Sequence, residues 1–166
     1  MKIAIISDSH DNVPNLEKAL GIIKNQGISL IIHCGDLCAP LMLSKVIVPN
    51  FEGKIHLVHG NVGDPDLLEK IAQNFPQTTV HGQIGELEIE NKKIAFTHSP
   101  EQGKKMAESK KYDFVFYGHT HKPWEETIGK THLVNPGTLA GMFYKATFAI
   151  YDTEGDKLEL KILELL

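Results

Sequence analysis

Apolar and polar residues alternate along this chain in blocks whose period switches between that of buried strands and that of helices. Lys2 to Ser7 is a short apolar run of the kind buried on both faces of a sheet. Asn12 to Gln26 places Val13, Leu16, Leu20 and Ile23 at helical spacing, and Gly27 stops it. Ser29 to His33 predicts a second strand, Leu41 to Val48 a short helix closed by Pro49, and Lys54 to Val58 a third strand. Asp66 to Asn74 predicts a helix started just after Pro65.

The middle is amphipathic in a different way. Ile84 to Glu90 alternates apolar and charged residues, a strand with one wet face, and Asn91-Lys92 turns it into Lys93 to Thr97. Glu101 to Ser109 predicts a helix and Asp113 to Tyr117 a buried strand. Glu125 to Ile128, His132 to Val134, Ala146 to Tyr151 and Lys157 to Leu163 are strand-like, with turns at Gly129-Lys130 and Thr153 to Asp156. The expectation is one α/β domain over residues 1–166, with parallel strands early and antiparallel strands late.

Composition narrows the function. A hydrophobic share of 42% and a charged share of 23% are ordinary globular usage. A net charge of -4 argues against a broad nucleic-acid surface. All 17 cations are lysines, so no bidentate arginine fork is available to clamp a phosphate. Cys34 and Cys38 cannot build a disulfide framework and read as small residues packed at a strand end. The N-terminus reaches acidic residues too early for a signal peptide, and no apolar run is long enough to span a membrane; a cytoplasmic protein is expected.

Nearly every apolar strand ends in a residue that can ligate a metal. KIAIIS runs into Asp8 and His10, LIIHCG into Asp36, and IHLVHG into Asn61. KIAFT runs into His98, and DFVFYG into His119 and His121. Ligands of open α/β sheets bind beyond the carboxyl ends of strands, so these termini can converge. Oxygen donors from Asp and Asn with four imidazoles suit Mn, Fe, Zn, Co or Ni. Seven donors exceed one tetrahedral ion and fit two ions sharing a carboxylate, as in phosphatases and nucleases.

The ordered series DSH (Asp8 to His10), GD (Gly35, Asp36), GN (Gly60, Asn61), TH (Thr97, His98) and GHTH (Gly118 to His121) resembles the calcineurin-like metallophosphoesterase superfamily. The short length, the DSHDN opening, YGHTH and NPGT (Asn135 to Thr138) resemble its small YfcE-like phosphodiesterase branch. The resemblance implies a four-layer α/β/β/α sandwich of two mixed sheets. It implies that Asp8, His10 and His121 hold one divalent metal and Asn61, His98 and His119 another, with Asp36 bridging. Mn²⁺ or Ni²⁺ is the common cofactor of that family, with iron or zinc in some members. A bridging hydroxide would then attack phosphorus in line, with Asp36, Asn61 and His98 as the metal-supported catalytic residues.

Two departures stand out. Many relatives carry a histidine directly after the GN asparagine, to assist the leaving group; here that residue is Val62. His59 and Asp64 are the nearby weak candidates for a general acid. Ser99-Pro100 also follows His98 where the branch often has glycine. His33, His56, His81 and His132 read as packed or exposed singles, Trp124 as a rim or core residue, and NPGT as a turn near the metals. The expected substrate is a small phosphodiester or nucleotide-type ester. A phosphomonoesterase or nucleotide pyrophosphatase on the same site, and a catalytically silent scaffold of the same fold, are the alternatives. The late alternating strands leave surface for a homodimer.

Overall fold

A computed structural model describes residues 1–166. In chain order the elements are β1 (Lys2–Ile6), α1 (Val13–Asn25), β2 (Leu30–His33), a π-helical turn (Leu43–Ile47) running into α2 (Val48–Asn50), and β3 (Lys54–Leu57). There follow α3 (Pro65–Ala72), β4 (Thr78–Val80), β5 (Ile84–Ile89), β6 (Lys92–Thr97), α4 (Pro100–Glu108) and β7 (Phe114–Phe116). The chain ends with β8 (Trp124–Ile128), β9 (Thr131–Asn135), β10 (Thr147–Asp152), β11 (Lys157–Ile162) and a 3-10 turn (Leu163–Leu165). No helix is long and apolar enough to cross a membrane.

Two mixed sheets result, ordered β11-β10-β1-β2-β3-β4 and β5-β6-β7-β9-β8. Alternation within each strand builds the layers. Ile3 and Ile5 of β1 face Phe96, Phe114 and Phe116 of the other sheet, and Tyr151 lies in the same layer. Ala4 and Ile6 point oppositely, onto Leu16, Leu20 and Ile23 of α1. Ala95, Val115 and Leu133 meet Ala107 of α4. The product is the expected α/β/β/α sandwich.

Several boundaries differ from the sequence reading. Pro49 lies inside helical backbone instead of closing it. The preceding turn widens to π geometry, with Val48 N–H bonding Leu43 C=O, which eases the clash a proline ring makes with an ordinary α turn. The β5–β6 turn is Glu90-Asn91, both at positive φ (49° and 65°), so Lys92 already belongs to β6. β4 carries no apolar alternation to mark it as a strand in the sequence. The late strands are not uniformly antiparallel: β9 pairs parallel with β7, because the β8–β9 hairpin inserts its second strand beside β7.

Helix starts follow their polar caps. Asn12, Asp64 and Ser99 accept from Asn15, Leu67 and Gln102 N–H, and a proline occupies the first turn of each helix. Because β1, β2 and β3 are mutually parallel in one sheet and β6 and β7 in the other, their carboxyl ends bring the chain to the candidate site.

Candidate metal centre

All seven strand-end residues meet. Asp8 Oδ1 lies 3.1 Å from His121 Nε2 and 3.7 Å from His10 Nε2. The His10 and His121 Nε2 atoms are 3.1 Å apart. Asn61 Oδ1 lies 2.8 Å from both His98 Nε2 and His119 Nδ1. Between these two groups sits Asp36 Oδ2, 3.6 Å from His10 Nε2 and 3.4 Å from His98 Nε2.

Donors about 2.1 Å from a common ion stand roughly 3.0–3.5 Å from one another; the separations here run from 2.8 to 3.7 Å around that range. Burial grades across the site. Asp8 and Asp36 are 0% and 3% exposed, whereas Asn61 and His119 are open to solvent, so the second group faces the entrance.

The fit to a cation rests on what the carboxylates lack. Asp8 Oδ2 accepts from Ser7 Oγ at 2.5 Å and from His119 N–H at 3.1 Å. Asp8 Oδ1, equally buried and aimed among the imidazoles, accepts nothing. A buried carboxylate oxygen without a donor is costly, and a cation removes the cost. Asp8, His10 and His121 form one group of donors near enough to share an ion, and Asp8, Asp36 and His98 another. Burial works to raise the Asp36 carboxyl, yet hydrogen bonds from His98 and Val62 N–H hold it below its ordinary range. Burial likewise works to lower the His98 imidazole, but Asp36 and Asp8 raise it, the mark of a cluster short of positive charge.

Second partners orient the rings. His98 Nδ1 donates to Cys34 C=O at 2.8 Å, which turns Nε2 toward the site. His10 Nδ1 meets Cys38 Sγ at 3.2 Å, so Cys38 is more than a packed strand-end residue. The NPGT segment locks the rear of the site. Asn135 Nδ2 donates to Gly118 C=O and Thr120 Oγ1, and Thr138 Oγ1 donates to Asp8 C=O. Gly118 is small because a Cβ there would press on Ser7 Oγ and Asp8 Oδ2.

Backbone strain concentrates here. Asp8, His10, Asp36, His119 and His121 all hold positive φ, between 40° and 71°. Non-glycine residues seldom adopt that region, and such outliers cluster at functional sites.

The general-acid candidates are engaged elsewhere. His59 Nε2 pairs with Glu69 Oε1 at 2.9 Å, and Asp64 caps α3. The remaining histidines are not singles. Buried His33 joins Ser9 Oγ at 3.0 Å to Gly35 N–H at 3.2 Å, propping the loops of Asp8 and Asp36; its place at the end of an apolar strand gave no sign of this. His56 and His81 pair at 2.9 Å, and His132 stacks on Phe114. Trp124 is neither core nor part of the donor cluster: half-exposed, it lines a groove with Leu158 and Leu160.

A family model for the calcineurin-like phosphoesterase superfamily domain matches residues 1–156. A phosphodiesterase of Methanocaldococcus jannaschii is 30% identical over 99% of this chain and 100% of its own. The phosphodiesterase YfcE of Escherichia coli is 24% identical over 84% of this chain and 80% of its own. The solved structure of an archaeal phosphodiesterase superposes with a TM-score of 0.88 at 29% identity, covering 98% of this chain and 99% of that one. The chain belongs to the calcineurin-like phosphoesterase superfamily and is a hydrolase of phosphoric esters.

Proposed function

We propose that this chain is a phosphodiesterase that works with two divalent ions, its 166 residues acting as a single domain. Asp8, His10 and His121 would hold one ion, Asn61, His98 and His119 the other, and Asp36 both. The observation that carries this reading is the donorless Asp8 Oδ1, buried among imidazole nitrogens at ligand spacing. The mixed nitrogen and oxygen set suits Mn²⁺, with Ni²⁺, iron, Zn²⁺ or Co²⁺ as substitutes. The ions, when bound, supply a hydroxide nucleophile near neutral pH and neutralise the phosphate oxygens.

The chain's own residues do the rest. Asp36 is held by Val62 N–H at 2.9 Å and stays ionised between the two groups. Asn61 ligates without adding negative charge beside an anionic ester. Exposed His119 and Asn61 line the face where the ester enters. With His59 and Asp64 bound elsewhere, no side chain stands ready to protonate a departing alkoxide. Esters whose leaving group departs as a stable anion are therefore favoured, and diesters with such groups are the substrates we assign.

The test is hydrolysis of bis(p-nitrophenyl) phosphate beside p-nitrophenyl phosphate, with Mn²⁺ or with EDTA. Metal-dependent turnover of the diester in preference to the monoester supports the reading. Turnover of the monoester alone overturns the diesterase assignment, and no metal-dependent turnover of either overturns the whole.

A further inference from the structure

Residues 141–145 (GMFYK) form the tip of a loop whose base is tied to the candidate metal centre. A bridge between Thr138 and Ala146 closes the base. Leu139 and Ala140 N–H groups bond Ser7 and Asp8 carbonyls at 2.9 and 3.0 Å, and Asn12 Nδ2 reaches Ala140 C=O at 3.0 Å. The base of the loop is thereby fixed relative to Asp8.

On that tip three large apolar side chains face water in succession: Met142, Phe143 and Tyr144. A single exposed apolar residue is ordinary, but Phe143 is 87% exposed and held at φ 65°, which a bulky residue seldom adopts. Its ring centroid lies 5.8 Å from that of His121, tilted by 35°. A phenyl face is thus presented beside the donor cluster, with its outer side open.

We propose that Phe143 is the specificity-determining residue for the ester group, stacking a planar aromatic substituent, a nucleobase being the natural case, while the phosphate lies at the metals. The inference rests on the phosphodiesterase reading above. Three things favour an aromatic occupant. The chain has no arginine to recognise a second phosphate, and the lysine of this loop, Lys145, pairs with Glu164 at 3.3 Å. Stacking needs only a π face, which Phe143 provides beside His121. Met142, the preceding residue and also exposed, offers a polarisable, adaptable side chain on the same loop tip.

Stacking on one aromatic residue is typically worth about 5- to 150-fold in binding. The test is calorimetric titration of the Mn²⁺-loaded full chain with adenosine 5′-monophosphate, ribose 5-phosphate and inorganic phosphate. Wild type should bind the adenosine ester about 10-fold more tightly than the ribose ester. Phe143→Ala should bring that ratio close to one, Phe143→Trp should keep it, and inorganic phosphate, which has no ester group, should bind all three proteins alike. A wild-type ratio near one, or a ratio that survives Phe143→Ala, overturns the proposal. So does a change of oligomeric state on Phe143→Ala, read by light scattering, with the ratio intact, since the patch would then be an interface between copies. Failure of the underlying reading looks different: no phosphate binding at all and no metal-dependent diester hydrolysis.

Discussion

The main-chain nitrogen of Val62 donates to Asp36 Oδ1 across 2.9 Å, while the valine side chain is 48% exposed and takes no part in the bond. Position 62 therefore does its structural work through backbone, and its side chain can change. Val62→His should keep the Asp36 contact and add a proton donor beside Asn61. We expect kcat on a diester with an alkoxide leaving group to rise about 10²-fold, the low end of general-acid assistance, with little change for p-nitrophenolate esters. Equal effects on both leaving groups would contradict this.

Gly60 makes the complementary case. A Cβ there would overlap the side-chain Oδ1 of Asp36 and its backbone N, and the backbone cannot give way. Gly60→Ala should cost about 1–3 kcal/mol by overpacking and displace the Asp36 carboxylate, which lies between His10 Nε2 and His98 Nε2. Gly21, exposed in α1 with nothing near its Cβ position, is the control. Gly21→Ala should add about 0.5–1 kcal/mol. Urea midpoints of the two variants should move in opposite directions.

Acid should destabilise the chain through two neutral histidines, buried His33 and half-buried His56. His33 Nδ1 accepts from Gly35 N–H, so the proton is assigned to Nε2, which donates to Ser9 Oγ; a second ring proton would lose the acceptor. Burial, helped by the charge of His98, pushes its pKa down to about 3. Burial, with His81 and Lys54, lowers His56 to about 4. The unfolded rings take up protons near pH 6.5 and the native ones do not, so stability falls as pH drops from about 6.5 toward 3 to 4. Urea unfolding in EDTA between pH 6.5 and 4.5 should show this loss. His33→Gln should flatten the slope, and an unchanged slope would remove His33 from the account.

Cys38 Sγ against His10 Nδ1 makes a prediction about metal affinity. Partners of this kind commonly set affinity by about 10- to 100-fold. Cys38→Ala should weaken Mn²⁺ binding within that range, and Cys38→Ser should retain most of it. Equal affinities in all three proteins would leave the cysteine a packing residue.

Much of this was legible in the sequence, for identifiable reasons. Parallel strands buried on both faces are continuous apolar runs, so the acids and imidazoles that end them stand out of pattern, and all seven converge. What stayed hidden depends on conformation or register. Turn chemistry assigns left-handed backbone to glycine, yet Asp8, His10, Asp36, His119 and His121 adopt it. The His56–His81 pair exists only because β4 lies beside β3, and Thr78 to Val80 carries no periodicity to announce a strand. The ring of Phe143 reaches His121 through a loop anchored by backbone bonds, which leave no trace in residue type.

The number of ions per chain tests the central claim most directly. Calorimetric titration of the EDTA-stripped protein with Mn²⁺, with metal content measured after desalting, should give two ions for wild type and one for Asn61→Ala, because Asp8, His10, Asp36 and His121 remain. A wild-type count below two, or two ions still held tightly by Asn61→Ala, would contradict the account.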